Sequence, residues 1–134
     1  MMPDHYKRMK SHLSILGVDD EIGILALLRQ IFTDQGWTFT EAASAADALE
    51  IMKCGARFDV VISDFRMPKM DGVDFLYEAR FLQPATLRIL LAGQTPDRNL
   101  AEAFRSGTIN FLVPKPWDND QLLALVEAWS DLNR

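Results

Sequence analysis

A single cysteine, Cys54, in 134 residues excludes an intrachain disulfide framework, and no Cys/His group has the spacing of a zinc site. Neither a covalent staple nor a structural zinc explains the fold. A basic excess is also missing: 14 Lys and Arg against 19 Asp and Glu leave a net charge of -5, which argues against nucleic acid as a partner. No apolar run approaches the roughly 20 residues that span a bilayer, and the N-terminus lacks the apolar stretch of a signal peptide. The expectation is a soluble cytoplasmic chain with no membrane contact. Repeats, low-complexity tracts and internal linkers are absent too. What remains is a length typical of one domain and a 49% hydrophobic composition able to fill a core. Residues 1–12 carry His5, Lys7, Arg8, Lys10 and His12 with little apolar content and read as a flexible arm, leaving 13–134 as the domain.

The apolar residues of that domain alternate between two periods. Short runs at 13–18, 37–40, 60–63, 87–91 and 110–113 have strand character. Between them, Ile22, Leu25, Leu28, Ile31 and Phe32 recur at helical spacing over 21–35, with Asp19 or Asp20 near the positive end of the helix dipole. Ser44 is placed to cap a helix carrying Ala48, Leu49 and Met52, and Asp71 one carrying Val73, Leu76, Tyr77 and Phe81. Leu100, Ala103 and Phe104 mark a fourth helix. Asp118 precedes a fifth, with Leu122, Leu125, Val126 and Trp129. Gly36, Gly55 and Gly107 stand where helices would stop. Five strand-helix alternations predict an α/β fold, a parallel sheet covered by helices on both faces.

In such a fold the ligand crevice lies beyond the carboxyl ends of the strands. Asp19 and Asp20 end the first run, Asp64 ends the third, and Lys115 follows the last. Carboxylates brought together repel and call for a cation, and oxygen-only ligands select a hard divalent ion such as Mg²⁺. With the metal on one phosphoryl oxygen and Lys115 on another, a carboxylate oxygen of Asp64 can act as nucleophile and form an acyl phosphate.

Asp19-Asp20-Glu21, the segment from Asp64 through Met67-Pro68 to Asp71-Gly72, and Lys115-Pro116-Trp117 resemble the acidic pair, phosphoacceptor loop and lysine motif of the receiver domains of bacterial two-component response regulators. The resemblance implies a flavodoxin-like, doubly wound five-stranded sheet in the order 2-1-3-4-5, the strand order that receiver proteins share with flavodoxin. It implies that Asp64 takes a phosphoryl group from a histidine kinase or a histidine phosphotransfer protein, and that the output is a contact with a downstream effector or a second copy. It also implies Mg²⁺ held by Asp64, by Asp20 directly, by Asp19 through water or a hydrogen bond, and by the backbone carbonyl of Arg66. A cis Lys115-Pro116 bond is expected on the same grounds.

The chain departs from the family pattern at two positions. Ala92 stands where a hydroxyl residue usually binds the phosphoryl group, and Leu112 where an aromatic switch residue is usual. Phe111 is adjacent but points to the opposite side of a regular strand, and Pro114 is expected to bulge the strand. These changes imply a receiver with a weakened or rewired response. Arg66 and Gln94 align with positions that flank the phosphoryl group and tune its lifetime, or are plain solvated loop residues. Trp117 is the best interface candidate of the last helix region, whose other apolar residues read as core. Cys54 reads as a packing residue, and His5 and His12 have no phosphotransfer context.

Two other classes compete. A phosphohydrolase of the haloacid dehalogenase type would need an acid two residues beyond the nucleophile, where this chain has Arg66, so an enzyme is not expected. A phosphorylation-independent interaction module is favoured by Ala92 and Leu112 and opposed by Asp20, Asp64 and Lys115.

Overall fold

A computed structural model describes residues 12–133. Five strands, β1 (Ser14–Val18), β2 (Thr38–Ala42), β3 (Val60–Asp64), β4 (Leu87–Ala92) and β5 (Phe111–Pro114), form one sheet in the order β2-β1-β3-β4-β5, every pair parallel. They alternate with α1 (Ile22–Thr33), α2 (Ala45–Lys53), α3 (Gly72–Leu82), α4 (Ala101–Arg105) and α5 (Asn119–Leu132). The predicted flavodoxin-like α/β architecture is thus the observed one. Its order reverses between β1 and β3, and the crevice forms there. Among the described residues no helix is long and apolar enough to cross a membrane.

Strand alternation sends two apolar sets to opposite faces. Leu16, Val18, Val61 and Leu90 pack with Phe75 and Leu76 of α3 and with Ala48 and Met52 of α2. Ile15, Val60, Ile62, Ile89 and Leu91 pack on the other face with Leu28 and Phe32 of α1 and Leu122 and Val126 of α5. The central strands β3 and β4 are buried along their whole length, which is why Val60-Val61-Ile62 and Ile89-Leu90-Leu91 read as apolar runs. The predicted core reading of α5 holds at Leu122 and Val126, with Trp117, Leu123 and Trp129 half-buried against them.

Local signals set most boundaries. Ser44, Asp71 and Asp118 each accept a hydrogen bond from the backbone N–H three residues on, capping α2, α3 and α5. Gly36, Gly55 and Gly107 all have positive φ just past helix ends, a conformation that disfavours side-chain-bearing residues. The N-cap of α1 is Glu21, with no side-chain cap and no acid in the first turn; Asp19, expected near the start of this helix, accepts the Glu21 N–H at 2.9 Å.

Pro114 makes no bulge: β5 keeps regular register through Ala92↔Pro114, an edge position where a missing N–H is tolerated. Cys54 is exposed at the end of α2, so it is not a packing residue. The N-terminal arm lies outside the described residues except His12, whose Nε2 stands 3.1 Å from Thr38 Oγ1.

The amino-terminal side of β4 holds a buried cation that no sequence pattern announced. Arg88, 5% exposed, donates to the carbonyls of Gly107 at 2.7 Å, Thr86 at 2.9 Å, Thr108 at 3.2 Å and Pro84 at 3.2 Å, and to Thr86 Oγ1 at 2.9 Å. Burial, with Arg80 nearby, pushes its guanidinium below the usual arginine range. The cation ties the stretch after α4 to the α3–β4 connection.

Candidate functional site

Three strand ends build the site. Asp19 follows β1 directly, Asp64 is the last residue of β3, and Lys115 leaves β5 as its N–H donates to the Ala92 carbonyl at 2.9 Å. The Lys115 ammonium lies 2.9 Å from Asp64 Oδ1 and 3.1 Å from Asp19 Oδ2. Residues 96 positions apart in the chain meet because β1 and β5 both point their carboxyl ends to this edge. The Lys115-Pro116 peptide bond is cis, as expected.

Packing fixes the loop after Asp64 from below. The Gly72 N–H donates to the Phe65 carbonyl at 2.8 Å, and a Cβ on Gly72 would collide with the Asp64 carbonyl oxygen and fall 2.7 Å from Leu90 Cδ1. Only glycine allows that approach. The Asp-Gly pair thus caps α3 with one residue and seats the helix against the end of β3 with the other.

The electrostatics are those of carboxylates held out of water. Asp19 is fully buried and Asp64 is 6% exposed, while Asp20 is exposed. Burial raises both buried carboxyls above their ordinary value; Lys115 opposes the rise at each, and the mutual repulsion of the acids adds to it. Burial alone would lower the Lys115 ammonium, but its hydrogen bonds to Asp64 and Asp19 outweigh that and raise it. One ligand oxygen from each of Asp19, Asp20 and Asp64 falls within 4.8 Å of the others. Three carboxylates against one ammonium leave negative charge uncompensated, and an all-oxygen donor set of this kind fits a hard divalent ion such as Mg²⁺.

The cleft above these groups has a volume of about 250 Å³ and is lined by Asp20, Glu21, Asp64, Arg66, Gln94 and Lys115, among others. Arg66 and Gln94 line this cleft. Arg66 has another partner that its sequence context did not reveal: its Nη2 stands 3.4 Å from Asp97 Oδ2. Asp71 and Asp74 are likewise joined by Arg98, at 2.9 and 3.1 Å. No local signal announces pairs that join two separate loops.

Ala92 is buried at the end of β4 and supplies no hydroxyl, and Thr95 is exposed in the next loop. Leu112 pairs with Leu90 and shares its face of the sheet, whereas Phe111 pairs with Ile89 and takes the other. Both are 39% exposed. Phe111 does not stand in for an aromatic at 112.

The sequence profile of the response regulator receiver domain matches residues 15–127, and the chain belongs to that family. It is 33% identical over 116 residues to the transcriptional regulatory protein ZraR of Escherichia coli K12, covering 87% of this chain but 26% of that protein. It is 36% identical over 118 residues to the sensor kinase CckA of Brucella abortus, covering 85% of this chain and 12% of that one. The chain thus spans about a quarter or less of these curated relatives. Among solved structures, the signal receiver domain of an HD domain-containing protein from Pseudomonas fluorescens Pf-5 superposes with a TM-score of 0.82 at 32% identity, over 91% of this chain and 97% of that one. A CheY-like receiver from Methanospirillum hungatei JF-1 gives 0.84 at 27% identity, over 92% and 97%.

Proposed function

We propose that this domain, residues 13–134, is a phosphoacceptor that receives a phosphoryl group on Asp64 from the phosphohistidine of a histidine kinase or a histidine phosphotransfer protein. The single observation that carries this reading is the convergence of Asp64, Asp19 and Lys115 within ion-pair distance at the carboxyl edge of the sheet. A carboxylate oxygen of Asp64 attacks phosphorus, the P–N bond breaks with its electron pair going to the imidazole nitrogen, and that nitrogen is left neutral or protonated from solvent. Lys115 meets the negative charge spread over the phosphoryl oxygens. Asp19, Asp20 and Asp64, with the Arg66 carbonyl, would hold Mg²⁺, whose role when bound is to neutralise phosphoryl oxygen charge.

Turnover is not the purpose of the site; the product is a phosphorylated protein that a downstream domain or protein reads in the cytoplasm. Ala92 and Leu112 favour a second reading, an interaction module that needs no phosphate. Labelled phosphotransfer from a phosphorylated histidine phosphotransfer protein separates the two. The phosphoacceptor reading expects base-labile label on the wild type and none on Asp64→Asn. A wild-type chain left unlabelled with Mg²⁺ present leaves only the second reading.

A further inference from the structure

The segment 93–100, between β4 and α4, begins next to Ala92, the position from which a hydroxyl is missing. It has little else to anchor it. The helix that follows, α4, has five residues and buries none of them; Asn99 Oδ1 accepts its first N–H, from Ala101, at 2.8 Å, and only Leu100 and Ala103 are half-buried against the core. Two arginines attach the segment to the rest of the site. Arg98 bridges Asp71 and Asp74 at the start of α3, and Asp71 is at the same time that helix's cap. Arg66, from the phosphoacceptor loop, reaches Asp97.

The two attachments are unequal. Arg98 engages two carboxylates at 2.9 and 3.1 Å. Arg66 makes one ion-pair contact at 3.4 Å, with side chains 60% and 69% exposed, and its guanidinium lies 5.7 Å from the Phe65 ring centroid. An ion pair that open to solvent contributes little and yields to a stronger competitor. Arg66 also stands at a border: it lines the cleft that contains Asp64, Lys115 and Gln94, and it lines the adjoining cleft with Asp97 and Asp71.

We propose that the Arg66–Asp97 pair is a latch worked by charge at Asp64, a substitute for the absent hydroxyl at 92. The inference rests on the phosphoacceptor reading of Asp64. A phosphoryl group on Asp64 brings added negative charge and acceptor oxygens to the cleft that Arg66 already borders, and a guanidinium pairs with phosphate in a two-pronged geometry that Asp97 does not offer it here. Arg66 turns from Asp97 to the phosphoryl group. Residues 93–97 are released, while Arg98 keeps the following turn fixed to α3. The differential attraction of Arg66 for the two acceptors is what shifts the population.

The test is the amide and arginine Nε–H spectrum of the ¹⁵N-labelled full chain, free and with Mg²⁺ plus beryllofluoride, in the wild type and in Asp97→Asn. Shifts at Asp64 and Lys115 report the adduct, shifts at Arg66 Nε, Thr95 and Asp97 report the latch, and Arg98 Nε, held by Asp71 and Asp74, is the fixed reference. The latch predicts that the wild-type adduct moves all of these resonances except Arg98 Nε. It predicts that free Asp97→Asn has Thr95 already displaced in the adduct direction, with the adduct then adding less than half the wild-type shift there. An adduct that leaves Arg66 Nε and Thr95 in place, or that moves them equally in Asp97→Asn, overturns the latch and spares the phosphoacceptor reading. Absence of any shift at Asp64 and Lys115 overturns both.

Discussion

Lys115 and Arg88 are both cations withdrawn from water at the β4–β5 side of one sheet, and they differ in what surrounds them. Lys115, at the carboxyl edge, faces two carboxylates with a third close by. Arg88, toward the amino edge, faces backbone carbonyls of four residues and one hydroxyl. Carbonyls saturate the Arg88 guanidinium and ask for nothing more, so that end is a fastening. Carboxylates outnumber the Lys115 ammonium, so that end retains an appetite for positive charge. Burial is shared; surplus charge distinguishes a site from a strut.

The largest effect expected is on the strut. Arg88→Met strips the donors from the Gly107, Thr108, Thr86 and Pro84 carbonyls and is expected to cost about 3 kcal/mol or more of stability in urea titration, since each buried acceptor left unmade costs roughly 1–3 kcal/mol. Where the variant remains folded, Asp64 still accepts phosphate. A loss under ~0.5 kcal/mol, the range of ordinary surface substitutions, would erase the difference between the two cations.

Lys115→Met inverts the pattern. The phosphorylation rate of Asp64 falls roughly 10²-fold, the scale for removing one preorganised donor to developing charge, while folding persists. Stopped-flow or gel assays with a small phosphodonor measure it, and an unchanged rate would make Lys115 merely structural.

Stability against pH sharpens the contrast. Asp19 and Asp64 have folded values raised above 3.8, chiefly by burial, so between 3.8 and the raised values the folded state binds more protons than the unfolded one. Stability contributed by these groups therefore falls as pH rises through that window and stays lower at neutrality. Lys115 is raised above 10.5 despite burial, through Asp64 and Asp19, so its contribution is complete below 10.5 and is lost as pH climbs through the folded value. The smallest expected effect follows from the first sign: Asp64→Asn gains stability at neutral pH, by about 1 kcal/mol, as functional sites commonly trade stability for activity. A loss on that substitution, seen in thermal melts, would contradict the sign.

Much of the fold was legible because its signals are local. Ser44, Asp71 and Asp118 cap the helices they were expected to cap, and the apolar runs Val60-Val61-Ile62 and Ile89-Leu90-Leu91 announced strands buried on both faces. Asp64 and Lys115 were legible as strand-end charges once a parallel sheet was inferred. Arg88 was not: an arginine inside Leu87-Arg88-Ile89 carries no sign that distant carbonyls will enclose it. Arg66–Asp97 and Arg98–Asp71 were hidden for the same reason, as loop-to-loop geometry sets them. Pro114 was misjudged because a missing N–H matters only where the ladder needs one, and at this edge the donor is Lys115.

The most direct test is a crystal structure of the chain with beryllofluoride and Mn²⁺ in place of Mg²⁺, the metal located by its anomalous signal. A phosphoacceptor site at Asp64 predicts beryllium on an Asp64 oxygen, a fluoride against Lys115 Nζ, and Mn²⁺ among Asp19, Asp20, Asp64 and the Arg66 carbonyl. An adduct on another carboxylate, or Mn²⁺ absent from this cluster while Asp64 is modified, would contradict it.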